Sequence, residues 1–150
     1  MAKEIERKFR VKSDAWRDAA SGSQHIVQGY LTHGHGVTVR IRILDAEYAL
    51  LTLKVGGTAL ARDEYEYPVP LGDGRELLAH AGRHVVEKRR YAVRFNGQDW
   101  VVDVFEGRHA GLVLAEIELE TEETQVELPG WVGDDVTGDE RYYNSSLARD

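Results

Sequence analysis

From residue 3 to residue 121 the chain repeats one pattern. Short runs in which apolar and charged residues alternate are separated by turns rich in glycine. Period-2 alternation sends successive side chains to opposite faces of a strand, so such runs cannot sit as helices without burying half their charges. The runs fall at about 3–12, 27–32, 36–45, 47–55, 61–70, 85–95, 98–107 and 112–121. Asn96-Gly97 is the strongest hairpin signal, because both residues tolerate the positive φ of a type I′ turn. Gly34–Gly36, Gly56-Gly57 and Gly107–Gly111 mark further turns. Helical pieces are short, near 14–20, 73–82 and 144–149, with a turn near 122–127. Eight strands with few helices in one domain spanning 1–150 predict a mainly β fold, an antiparallel barrel or sandwich.

The polar faces of these strands are sorted by sign. Arg40 and Arg42 oppose Val39, Ile41 and Ile43; Lys54 opposes Leu53 and Val55; Lys88 and Arg90 oppose Arg89, Tyr91 and Val93. Elsewhere the polar rows are mainly acidic: Glu4 and Glu6 opposite Ile5, Glu64 and Glu66 opposite Tyr65, and Glu116, Glu118 and Glu120 opposite Ile117 and Leu119. Asp103 shares a face with Val101 and Phe105. A solvated sheet face explains any one such strand. It explains the sorting poorly, since surface strands ordinarily mix signs for cross-strand pairing and solubility. One cationic and one anionic wall suit a site for a polyanion together with a divalent cation. Arginine and lysine neutralise phosphoryl oxygens, and paired carboxylates are hard ligands for Mg²⁺ or Mn²⁺. In a closed barrel one face of every strand lines the interior, and this many interior charges imply a hydrated tunnel rather than a packed core.

Bulk properties narrow the field. A formal charge of −7 argues against a general nucleic-acid or anionic-membrane partner. The absence of cysteine removes disulfides and thiolate metal sites. No apolar run approaches the ~20 residues of a membrane span, and the acidic N-terminal stretch does not read as a secretory signal, so a cytoplasmic location is expected. His33 and His35 lie between glycines and are expected in an exposed loop rather than a metal site.

Glu4-Ile5-Glu6-Arg7-Lys8 resembles the ExExK signature of the CYTH superfamily, the triphosphate tunnel metalloenzymes. Further segments resemble that family in the same order: Gln28-Gly29-Tyr30-Leu31, Val39-Arg40-Ile41-Arg42, Leu53-Lys54, Glu64-Tyr65-Glu66, Glu87-Lys88-Arg89-Arg90-Tyr91, Asp103-Val104-Phe105, Glu116-Ile117-Glu118-Leu119 and Arg141-Tyr142-Tyr143-Asn144. The resemblance implies an eight-stranded antiparallel closed barrel with a charged tunnel that binds triphosphates with Mg²⁺ or Mn²⁺. It places Glu4, Glu6, Asp103, Glu116 and Glu118 as metal ligands, with Glu64 orienting metal, water or Lys88. Asp103 has a second reading, as the structural partner of an interior base. Arg40, Arg42, Lys54, Lys88 and Arg90 resemble the phosphate-binding bases, and Arg141 is expected to close one end of the tunnel. Lys8 and Tyr30 match a lysine–tyrosine dyad of the short bacterial tripolyphosphatases, in which the lysine accepts a proton from attacking water. Glu66, Glu120, Arg62 and Arg94 are expected at the rim.

The expected activity is therefore metal-dependent hydrolysis of inorganic tripolyphosphate by a monomer or homodimer. The scaffold alone leaves three alternatives open: hydrolysis of a nucleoside or thiamine triphosphate, cyclisation of ATP, or a polyphosphate-binding module without turnover.

Overall fold

All eight expected strands form, and they close into a ring. The structure, a computed structural model, describes residues 3–32 and 36–150; His33 and His35 lie outside the described residues. The strands are β1 (Lys3–Val11), β2 (Ala20–Tyr30), β3 (Val37–Leu44), β4 (Tyr48–Val55), β5 (Ala61–Val69), β6 (Val85–Phe95), β7 (Gln98–Phe105) and β8 (Val113–Glu118). Their order around the barrel is β5-β4-β3-β2-β6-β7-β8-β1, all antiparallel, and β1 pairs back onto β5 to complete the ring. That closing ladder is short, with three pairs from Lys3↔Asp63 to Ile5↔Ala61. The Asn96-Gly97 hairpin joins β6 to β7 with both residues at positive φ, 46° and 75°.

The outward apolar rows are covered in patches. Phe9, Trp100, Val102, Ala115 and Ile117 form one exterior core with Trp16, carried by a 3-10 turn at Ala15–Ala19, and with Trp131. The rings of Phe9 and Trp100 lie 5.5 Å apart, and those of Trp100 and Trp131 meet edge-on at 5.7 Å. Helix α1 (Leu71–His80) lays Leu77 and Leu78 over Ile41, Ile43 and Ala49 on the β3–β4 flank. Helix α2 (Asn144–Arg149) packs differently, bringing Leu147 and Ala148 against Tyr30, Val86, Phe105 and Leu114, which stand on the inward rows. Arg108 donates to the backbone carbonyls of Leu147 and Ala148 and so fastens that helix.

Two elements differ from the sequence expectation. Strand β2 begins at Ala20, seven residues before the expected 27, because Ala20 and, past an irregularity at 21–22, Ser23–His25 pair with β6 without any apolar alternation to announce it. A ninth strand, β9 (Val132–Asp135), was not expected among its glycine and aspartates. It forms because β1 offers an open edge at Phe9–Val11, beyond the short stretch that β5 occupies. Asp135 there also takes an ion pair from outward-facing Arg7, at 2.7 Å.

Candidate active site

The ring order turns the sorting of charges into geometry. The basic rows of β4, β3 and β6 are neighbours around the barrel, with only β2 between the last two. The acidic rows of β8, β1 and β5 adjoin across the closing ladder. The two arcs face a cavity of about 1210 Å³. Of the expected site residues, Glu4, Glu6, Lys8, Tyr30, Arg40, Arg42, Lys54, Glu64, Lys88, Arg90, Glu116 and Glu118 line it. Asp103 and Arg141 do not.

On the acidic arc, one carboxylate oxygen each from Glu4, Glu6 and Glu118 lies within 4.8 Å of the others. Burial and the neighbouring Glu116 push the Glu6 carboxyl up to about 8. Burial and a hydrogen bond shared with Glu4 push Glu64 up to about 7. Glu118 is raised as well, first by burial and then by Glu4 and Glu116. Glu116 behaves oppositely: burial opposes its charge, but Lys8, Arg90 and Lys88 together hold it well below the usual carboxylate range. Glu6 and Glu64, raised first by burial and then by neighbouring carboxylates, stand beside Glu4, which Lys54 lowers against its burial; such a crowded set of carboxylates suits a hard divalent cation, which would displace the protons that Glu6 and Glu64 hold. The residues fit a metal.

On the basic arc the cations are only partly matched. Lys54 donates to Glu4 at 2.8 Å and lies 3.6 Å from Glu64. Arg40 approaches Thr52 at 3.3 Å and Glu66 at 3.5 Å, while its Nε is buried with no hydrogen-bond partner. A buried donor without a partner is costly, and a phosphoryl oxygen is the natural acceptor for it. Burial and the charges of Arg40 and Arg90 draw Arg42 down to about 9, so it remains cationic at neutral pH.

Asp103 sits behind this arc, 1% exposed. It accepts from Lys88 Nζ at 2.7 Å and bidentately from Arg90, at 2.7 and 2.9 Å. Burial opposes its charge, yet Arg90 and Lys88 lower its carboxyl to about 2. Burial draws Lys88 down to about 7 against the pull of Asp103, and Arg90 is raised by the same carboxylate against its own burial. The second of the two sequence readings therefore describes its contacts: Asp103 is the counter-anion that fixes two bases. Arg141 points to solvent, 80% exposed, in an ion pair with Asp139 at 2.6 Å.

Lys8 and Tyr30 share the cavity but not a hydrogen bond. Lys8 Nζ donates to the Tyr142 carbonyl at 3.1 Å and lies 3.9 Å from Glu116. The Tyr30 hydroxyl instead accepts from Gln28 at 2.9 Å. Gln28 and Asn144 were not singled out by sequence reasoning, although both stand in the quoted motifs. Their signal was positional: Gln28 is two residues from Tyr30 and so on the same inward row. Glu66 and Glu120 line the cavity and are exposed, as expected of rim residues, and Arg94 pairs with Asp99 on the surface.

Comparison with known proteins agrees with this geometry. The family model described as CYTH domain matches residues 2–148. An inorganic triphosphatase of Acetivibrio thermocellus is 43% identical over 150 residues, covering 99% of this chain and 95% of that protein. An inorganic triphosphatase of Nitrosomonas europaea is 36% identical over 149 residues, covering 97% and 96%. A crystal structure of an inorganic triphosphatase superposes with a TM-score of 0.70 at 32% identity, covering 100% of this chain and 97% of that one. With its ExExK strand, two charged arcs and closed ring of eight strands, the chain belongs to the CYTH domain family.

Proposed function

We propose that the protein hydrolyses inorganic tripolyphosphate to pyrophosphate and phosphate inside the barrel, with Mg²⁺ or Mn²⁺. The observation that carries this is the meeting, across one cavity, of a three-carboxylate cluster, in which Glu6 is pushed up to about 8, and a cationic arc that includes an unmatched Arg40 Nε. The names of the two relatives support the substrate.

Arg40, Arg42, Lys54, Lys88 and Arg90 hold the phosphoryl oxygens and bring the chain of phosphates to one position. Glu4, Glu6 and Glu118, with Glu116 and Glu64 beside them, would hold the cation. Bound there, it supplies charge neutralisation on the phosphoryl oxygens and acidifies a coordinated water. Lys8, between Glu116 and the Tyr142 carbonyl, accepts the proton of the attacking water as the new P–O bond forms. Pyrophosphate departs with the electrons of the broken P–O bond. Asp103 holds Lys88 and Arg90 in place, and Arg141 acts outside the phosphate site. No helix is long and apolar enough to cross a membrane among the described residues. A cytoplasmic enzyme, monomer or homodimer, without a nucleic-acid partner, completes this reading, in keeping with the net charge of −7.

The test is to incubate the protein with Mg²⁺ or Mn²⁺ and tripolyphosphate, ATP or thiamine triphosphate, and to measure phosphate and cyclic AMP. Phosphate released fastest from tripolyphosphate is expected, and Lys8→Ala should abolish most of it. Cyclic AMP from ATP with little phosphate from tripolyphosphate would overturn the proposal.

A further inference from the structure

Behind Tyr30 lies a buried chain of amides whose polarity can be read from its ends. Gln28 is fully buried. One end of its amide meets Arg42 Nε at 2.8 Å. A guanidinium only donates, so the atom facing it is the Gln28 oxygen. At the far end Asn144 meets Lys88 Nζ at 2.9 Å. With the Gln28 oxygen on Arg42, its nitrogen faces Asn144, so the Asn144 atom that meets both Gln28 and Lys88 is the oxygen. Between these fixed ends the Gln28 nitrogen must donate twice, to Asn144 Oδ1 at 3.2 Å and to the Tyr30 hydroxyl oxygen at 2.9 Å. Turning Gln28 over would set donor against donor at Arg42, and turning Asn144 over would do so at the Gln28 nitrogen.

We propose that Gln28 is a positioning residue that makes Tyr30 a hydrogen-bond donor to the substrate. A phenol has one proton. With its oxygen already accepting from Gln28, that proton is turned away from the amide chain, and the Tyr30 side chain lines the cavity. There it meets a phosphoryl oxygen, whose charge grows as the P–O bond breaks. Gln28 also ties this hydroxyl to Arg42 and, through Asn144, to Lys88, so one fully buried amide sets three of the groups that line the phosphate site.

The inference rests on the triphosphatase reading, and the experiment separates the two. Gln28→Glu keeps the shape and the acceptor for Arg42, but turns an acceptor towards Tyr30 and draws the phenolic proton back from the cavity. Gln28→Met removes the polar groups and leaves the hydroxyl free to rotate. Tyr30→Phe deletes the donor. For tripolyphosphate turnover, Gln28→Glu should lower kcat about tenfold or more, as Tyr30→Phe does. Gln28→Met should cost less than Gln28→Glu. Adding Tyr30→Phe to Gln28→Glu should change kcat by less than about twofold, because the donation is already lost. A purely structural Gln28 would give the reverse order, since glutamate preserves packing and the arginine contact, and its effect would multiply with that of Tyr30→Phe. Either result, or full-rate turnover by Gln28→Glu, overturns the inference. Wild-type protein without turnover overturns the triphosphatase reading instead, and the same ordering is then sought in tripolyphosphate affinity measured by calorimetry. Equal affinities of Gln28→Glu and wild type there would also refute the role of Gln28.

Discussion

Replacing Asp103 with asparagine is the most informative perturbation of the site, because its two roles predict different losses. The carboxylate and the Lys88 ammonium are each 1% exposed, so water screens neither. Asp103 accepts three charge-assisted hydrogen bonds from two bases, and the variant removes the anion that both share, leaving Arg90 only Glu116 at 3.6 Å. Removing one partner of a buried ion pair costs about 3–5 kcal/mol, and the amide oxygen, which still accepts one bond, places Asp103→Asn near the lower end. At about 2–4 °C per kcal/mol for a chain of this size, the expected fall in Tm is roughly 6–12 °C. Urea unfolding in metal-free buffer should show a lower midpoint at an unchanged slope. Tripolyphosphate, which brings anions to Lys88 and Arg90, should restore part of the loss. In wild-type protein the contribution of Asp103 is complete above its ordinary value of 3.8 and disappears as the pH falls through about 2. A loss below about 1 kcal/mol, joined to a tenfold or greater weakening of Mg²⁺ binding, would refute the counter-anion account and return Asp103 to the metal ligands.

Four other outcomes can be measured. Because Glu6 is held near 8 and Glu64 near 7, cation binding between pH 6 and 7 should release protons, seen by calorimetry in buffers of different ionisation enthalpy; no release would contradict the shared-proton arrangement. The raised Glu6 value also means that its stabilisation of the metal-free protein is complete below about 4.5 and is lost as the pH rises through about 8, so Tm without metal should fall over that range. Arg141→Ala should leave the urea midpoint unchanged and KM for tripolyphosphate within about twofold, since the side chain is solvent-facing. In Gly29→Ala the new methyl would lie 2.7 Å from Ala81 Cβ and 2.9 Å from Leu78 Cδ1; we expect a loss of about 1–3 kcal/mol in urea unfolding, and reduced kcat because Gln28 and Tyr30 flank the site of strain.

The legible part of this protein is what alternation encodes. Once a strand is granted, period 2 dictates which residues share a face, so Glu4 with Glu6, Arg40 with Arg42 and Lys88 with Arg90 could be grouped before any fold was known. Their sorting by sign then pointed inward, and the ring order placed them in two arcs. Pairing partners were less legible. Asp103 stands on an inward row like the clustered glutamates, and only the β6–β7 register, which sets it opposite Arg90, shows what it holds. Gln28 and Asn144 carry no charge and lie 116 residues apart, so nothing local marks their contact. Strand β9 exists through the free edge of β1, a property of its partner and not of its own residues. Arg141 matched a motif by position, yet Asp139, two residues away, turns it outward.

The three-pair seam between β1 and β5 has a mechanical consequence. A cylinder is only as closed as its shortest ladder, and every other ladder of this ring is longer. The staves that meet there bear Glu4 and Glu64, like charges that would part them but for a shared proton and the ammonium of Lys54, which reaches both from β4. Lys54 is thus the hasp of the barrel as well as part of its basic wall. A cation seated among Glu4, Glu6 and Glu118 would rivet β1 to β8 beside that same joint, so loading the enzyme for chemistry also tightens its hoop.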